Sequence, residues 1–100
     1  MEMIKQLSKY EGSSINIWIE DRSGEAQTKP KAYTLYKVEQ SNDRQQIQFY
    51  LNETQFLSIP VFDNRSLTKL EMMSSGEVFV SHDVKGKLLY WIYFEERGHE

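Results

Sequence analysis

From residue 14 onward the chain alternates with a period of two. Ile15, Ile17 and Ile19 fall on one side and Asn16, Trp18 and Glu20 on the other, the pattern of a strand with one face against a core. The residues before it follow a different period. Ile4, Leu7 and Tyr10 recur at helical spacing, and Glu11-Gly12 can end the segment. A short helix over 2–10 is the expectation, with an edge strand as the alternative, because about nine residues form a stable helix only when packed on something.

Asp21-Arg22-Ser23-Gly24 reads as a turn, and the polar stretch 25–31, with Pro30 inside it, is the longest candidate loop. Residues 32–39 are rich in aromatic and β-branched types, Ser41-Asn42-Asp43 are turn formers, and 46–51 points Ile47, Phe49 and Leu51 inward. These two segments predict a hairpin. Asn52-Glu53 predicts another turn, after which Leu57, Ile59 and Val61 alternate. Pro60 has no N–H to give to a ladder, so this strand is expected to lie at an edge, carry a bulge or finish there.

Residues 67–73, 77–82 and 87–95 read as three strands separated by Ser74-Ser75-Gly76 and Val84-Lys85-Gly86. A three-residue loop ending in Gly suits a type I turn closed by a left-handed residue. On that reading Met72 faces Val78, Leu70 faces Val80, Val80 faces Tyr90 and Val78 faces Ile92. Leu70, Met72, Val78, Val80, Leu88, Tyr90, Ile92 and Phe94 then form one apolar layer, expected to be core.

About seven strands with short connections and no helical crossover exclude a parallel βαβ architecture. The expected fold is mainly β: an antiparallel sheet closed as a small barrel or a sandwich, with the N-terminal helix over one opening. Residues 1–96 form a single β-rich domain on this reading, and 97–100 a polar tail.

Of the 100 residues, 39% are hydrophobic and 13% aromatic, which supplies apolar surface enough for one core. The absence of cysteine excludes disulfides and thiolate metal sites. The first residues lack the basic lead and apolar run of a secretory signal, and no apolar run is long enough to span a bilayer, so cytoplasmic residence without membrane contact is expected. Twelve Lys and Arg against fifteen Asp and Glu give a net charge of -3 with mixed signs, a poor footprint for duplex nucleic acid.

No phosphate loop, nucleophile elbow or His-x-x-x-His is present, so neither catalysis nor a metal or other cofactor is expected. His82 and Asp83 are neighbours on a strand and point to opposite faces. His82 is expected on the core side near Leu88 and Thr68, while His99 belongs to the tail. The expected role is a non-catalytic interaction or accessory protein that binds a protein partner or associates with itself as a homodimer. The candidate surface is the second face of the final meander, carrying Met73, Phe79, Leu89, Trp91 and Tyr93, because the last strand is apolar on both sides. The N-terminal segment with Ile4 and Leu7 is the intramolecular alternative for covering it. Two other functions compete: an apolar small ligand inside a barrel, and a single nucleic-acid strand stacked on Trp18, Tyr33 and Tyr36 beside Lys29, Lys31 and Lys37.

Overall fold

The computed structural model describes residues 3–22, 31–74 and 76–94. The helix α1 spans Met3–Ser8. It is followed by β1 (Ser14–Asp21), β2 (Lys31–Thr34), β3 (Lys37–Gln40), β4 (Gln46–Tyr50), β5 (Phe56–Pro60), β6 (Thr68–Met73), β7 (Gly76–Asp83) and β8 (Leu88–Phe94). These strands form two packed sheets, every pairing antiparallel: β2-β1-β8-β7-β6 and β3-β4-β5. Most of the polar stretch expected as a long loop, and the C-terminal tail, lie outside the described residues.

Alternation builds the core as the pattern predicts. Ile15 and Ile17 of β1, Ile47 and Phe49 of β4, and Ile59 of β5 with Val61 just beyond it are buried together with Ile92 and Phe94 of β8. Leu7 of α1 joins the same cluster. The helix is therefore held by packing on β3 and by the Glu11 carboxylate, which accepts the Val38 N–H at 2.9 Å. Gly12, at φ 90, makes the left-handed step from helix to strand.

Residues 32–39 differ from the expectation of one strand. The ladder breaks at Leu35 and Tyr36, where the chain leaves the first sheet for the second, so eight strands replace seven. Leu35 is fully buried at the crossing, and its N–H reaches the Ser13 carbonyl at 2.9 Å. The hairpin that does form pairs β3 with β4. Its turn holds Arg44 at φ 62, and Asp43 accepts from the Ser41 hydroxyl at 2.7 Å and the Gln45 N–H at 3.0 Å. Those bonds hold the Asp43 carboxyl below its usual range. Asn52 organises the next turn by accepting the N–H groups of Thr54 and Gln55, both at 2.9 Å. Pro60 ends β5, an edge strand, as its missing N–H requires.

The meander register requires a correction. Met72 pairs with Glu77, Leu70 with Phe79, and Val78 with Tyr93, each one residue away from the expected partner. Met73 lies opposite Gly76, so Gly76 belongs to β7 and does not close the loop. At the second hairpin Asp83 pairs with Leu88, and it is Lys87, at φ 59, that takes the left-handed conformation. At Gly86 a Cβ would come within 2.6 Å of the Asp83 carboxylate, so a larger residue there would make that side chain shift. The Gly86 N–H bonds that carboxylate at 3.1 Å.

Two one-residue slips leave β6 and β8 facing as expected and turn β7 over. Phe79 and Ser81 face the core, whereas Val78, Val80 and His82 face away. Ser81 is fully buried in a relay that ties the sheets together. The Phe62 N–H donates to the Thr68 hydroxyl at 2.9 Å, the Thr68 and Ser81 hydroxyls meet at 2.8 Å, and Ser81 donates to the Pro60 carbonyl.

Ile92 is 0% exposed in this core. Ile92→Ala is expected to cost about 2–4 kcal/mol in urea unfolding through lost transfer energy and a residual cavity. Met72→Ala, at a side chain 68% exposed, should stay within about 0.5 kcal/mol.

Burial, with the nearby Asp83 charge, raises the Tyr90 phenol above its ordinary pKa of 10.0. The folded chain thus keeps a proton that the unfolded chain loses first. Its stabilising contribution is complete below about pH 10 and is lost as pH rises through the folded pKa. Tyr90→Phe should flatten this alkaline fall in denaturation measured between about pH 9 and 11.5.

Candidate interaction surface

β8 has apolar side chains on both faces. Leu88, Tyr90, Ile92 and Phe94 point into the core, where the Phe94 ring stacks on Tyr10 with centroids 4.2 Å apart. Leu89, Trp91 and Tyr93 therefore face outward. Pairing with β1 sets Trp18 directly across from Trp91, and pairing with β7 sets Val80 there on the other side. The two indoles stack at 5.9 Å with their planes 23° apart, and Trp91 stacks on Tyr93 at 6.3 Å and 10°. The result is a ladder of three aromatic rings on the face of the larger sheet turned away from the core.

This ladder is a partly shielded surface. Val78 and Val80 beneath it are buried, while Leu89, Trp91, Tyr93 and Trp18 are half-buried. The Trp91 indole N–H is closed to solvent and meets no acceptor among the described residues, a burial that costs about 1–3 kcal/mol.

Four of the five residues singled out from the sequence share this face. Leu89, Trp91 and Tyr93 adjoin one another on β8, and Met73 sits 45% exposed at the far end of β6. Phe79 is corrected to the opposite face. It is fully buried and packs on Phe49 of the second sheet with ring centroids 5.3 Å apart. His82 is corrected too: it is half-buried opposite Leu89, on the outer face. Trp18 was not placed in the ladder because nothing local in the chain indicates that β1 pairs with β8.

The residues of the nucleic-acid alternative are spread over the molecule. Trp18 faces outward on β1, Tyr33 pairs with Ile15 on the core side, and Tyr36 is exposed where the chain changes sheets. Lys37 stands over the Tyr50 ring at 4.6 Å and bonds Glu39 at 3.0 Å. That hydrogen bond raises the ammonium above its ordinary pKa. Lys29 lies outside the described residues. For the interior-ligand alternative, the space between the sheets is filled by Phe49, Phe79, Ile15, Ile47, Ile59 and Ile92, each without exposed surface. Among the described residues, no group of three or more His, Cys, Asp or Glu could hold a metal ion, and no helix is long and apolar enough to cross a membrane.

Together these features define a small, mainly β domain of two packed antiparallel sheets with a short N-terminal helix. The chain is similar in fold to the Bacillus subtilis YojF protein, whose crystal structure superposes with a TM-score of 0.58 over 99% of this chain and 91% of that one, at 15% sequence identity. No family model and no curated protein matches the sequence.

Trp18 and Trp91 are the chain's two tryptophans. Their stacking should produce an exciton couplet in circular dichroism. Trp18→Phe and Trp91→Phe should each abolish it, and a couplet that survives either substitution would contradict the pairing of β1 with β8.

Proposed function

We propose that this protein is a non-catalytic interaction or accessory domain that docks onto a protein surface, a second copy of itself included, through Leu89, Trp91, Tyr93 and Trp18. The observation that carries the reading is the stacked ladder of Trp18, Trp91 and Tyr93 on the face away from the core. Aromatic side chains are the usual anchors of protein interfaces, because they bury much area at little cost in conformational freedom. Their position supports the reading as well. α1 packs on β3 and inserts Leu7 into the core, so the helix does not cover the ladder. The non-catalytic part of the proposal rests on the chain's lack of a recognisable acid–base or nucleophile constellation.

Sedimentation of the wild type and Trp91→Glu tests the self-docking form. The charge should convert an oligomer to a monomer while the far-ultraviolet spectrum stays folded. A wild type that is monomeric at about 100 μM, well above the dissociation constant of an ordinary dimer, would end that form of the proposal.

A further inference from the structure

We infer that the open edge of β6 pairs antiparallel with β6 of a second copy, centred on Leu70. This rests on a different part of the molecule from the ladder and stands or falls separately. β6 is the last strand of the five-stranded sheet, and among the described residues no strand lies along its outer side. The phase of its hydrogen bonding is set by the His82 N–H, which donates to the Leu67 carbonyl at 2.7 Å. Along the register with β7, residues 67, 69, 71 and 73 therefore turn their peptide groups toward β7, and 68, 70 and 72 turn theirs to the open side. The Thr68 N–H, already outward, is taken by the Asn64 carbonyl at 3.0 Å. The N–H and C=O groups of Leu70 and Met72, and the Thr68 C=O, remain on the edge.

Such an edge templates another strand unless its side chains oppose the pairing. Here the charges are Lys69 and Glu71, 3.6 Å apart on one strand and both exposed. That spacing is self-complementary in one register. With Leu70 opposite Leu70 of the second copy, each Lys69 lies across from a Glu71, and the Leu70 peptide groups exchange reciprocal hydrogen bonds. Each Met72 N–H then reaches the other copy's Thr68 carbonyl, while the Met72 carbonyl, opposite the Thr68 N–H already given to Asn64, stays outside the ladder at each end of the pair. Centring the pair on residue 69 or 71 would set like charges face to face, and centring it on Thr68 would lose both hydrogen bonds of the central pair, because each Thr68 N–H is already given to Asn64. The edge also has room beside it: a cleft of about 710 Å³ is bounded by Thr68 to Glu71, residues 62–65 and Met3 and Gln6 of α1. Pairing of this kind has its two-fold axis perpendicular to the sheet. The two larger sheets become one, with both aromatic ladders on the same side.

The absence of native cysteine makes single-cysteine crosslinking clean. Leu70→Cys should form a covalent dimer under mild oxidation, because directly opposed residues have Cα atoms about 5.5 Å apart, within disulfide reach. Met72→Cys should not, although Met72 is far more exposed, because the two copies of residue 72 are offset along the strands. In sedimentation, Lys69→Glu and Glu71→Lys should each weaken the dimer about tenfold, and the double exchange should restore it. Crosslinking at 72 equal to that at 70, none at 70, or a double exchange that stays dissociated would each overturn the inference. The ladder proposal is read separately: if Trp91→Glu dissociates the protein and Leu70→Cys does not crosslink, the edge is wrong and the ladder stands.

Discussion

The packing of Phe79 against Phe49 is the contact on which the rest of the arrangement depends. It joins the two sheets across the core with ring centroids 5.3 Å apart, and neither ring has exposed surface. Burying an aromatic side chain is worth more than burying a valine, so placing Phe79 inward decides which face of β7 belongs to the core. The parity of β7 then settles both neighbouring registers. Leu70 and Ile92 lie opposite Phe79, and Val78, Val80 and His82 are left facing outward.

The same parity puts Ser81 inside, where a hydroxyl needs partners. It finds them in Thr68 and the Pro60 carbonyl, and Thr68 in turn accepts from Phe62. This relay holds the chain where it crosses from β5 to β6, and it keeps the start of β6 beside β7. At the other end of the core, Tyr10 stacks on Phe94 and donates to Glu77, another inward polar residue of β7. Ser81 and Glu77 are thus satisfied by the elements that flank the core, while Asp83, at the end of the strand, accepts the Gly86 N–H.

The opposite side carries the aromatic ladder. Trp91 and Tyr93 point outward because Tyr90, Ile92 and Phe94 point in, and Trp18 joins them because β1 is the other neighbour of β8. The ladder and the β6 edge belong to one sheet but use different chemistry. The ladder offers apolar area, and the edge offers peptide hydrogen bonds with one charge of each sign.

The local alternation of the chain determined most of its elements and many of its core residues: Ile15, Ile17, Ile47, Phe49 and Ile59 follow from period two alone, and Pro60 restricted its strand to an edge, a bulge or an end, of which the structure shows an edge strand that ends there. Leu89, Trp91 and Tyr93 were legible as a surface because β8 is apolar on both faces. The orientation of β7 was not legible. Val78, Phe79 and Val80 are all apolar, so a one-residue slip exchanges one acceptable face for another, and glycines at 76 and 86 suggested loops that the chain does not use. Only contact with a distant strand, Phe49 of β4, breaks that tie. The pairing of β1 with β8, which brings Trp18 to Trp91, is likewise a contact between the two ends of the chain. Hydrophobic periodicity records which side of a strand is buried. It carries no information about which strand lies alongside, and that is decided by the summed packing of the whole core.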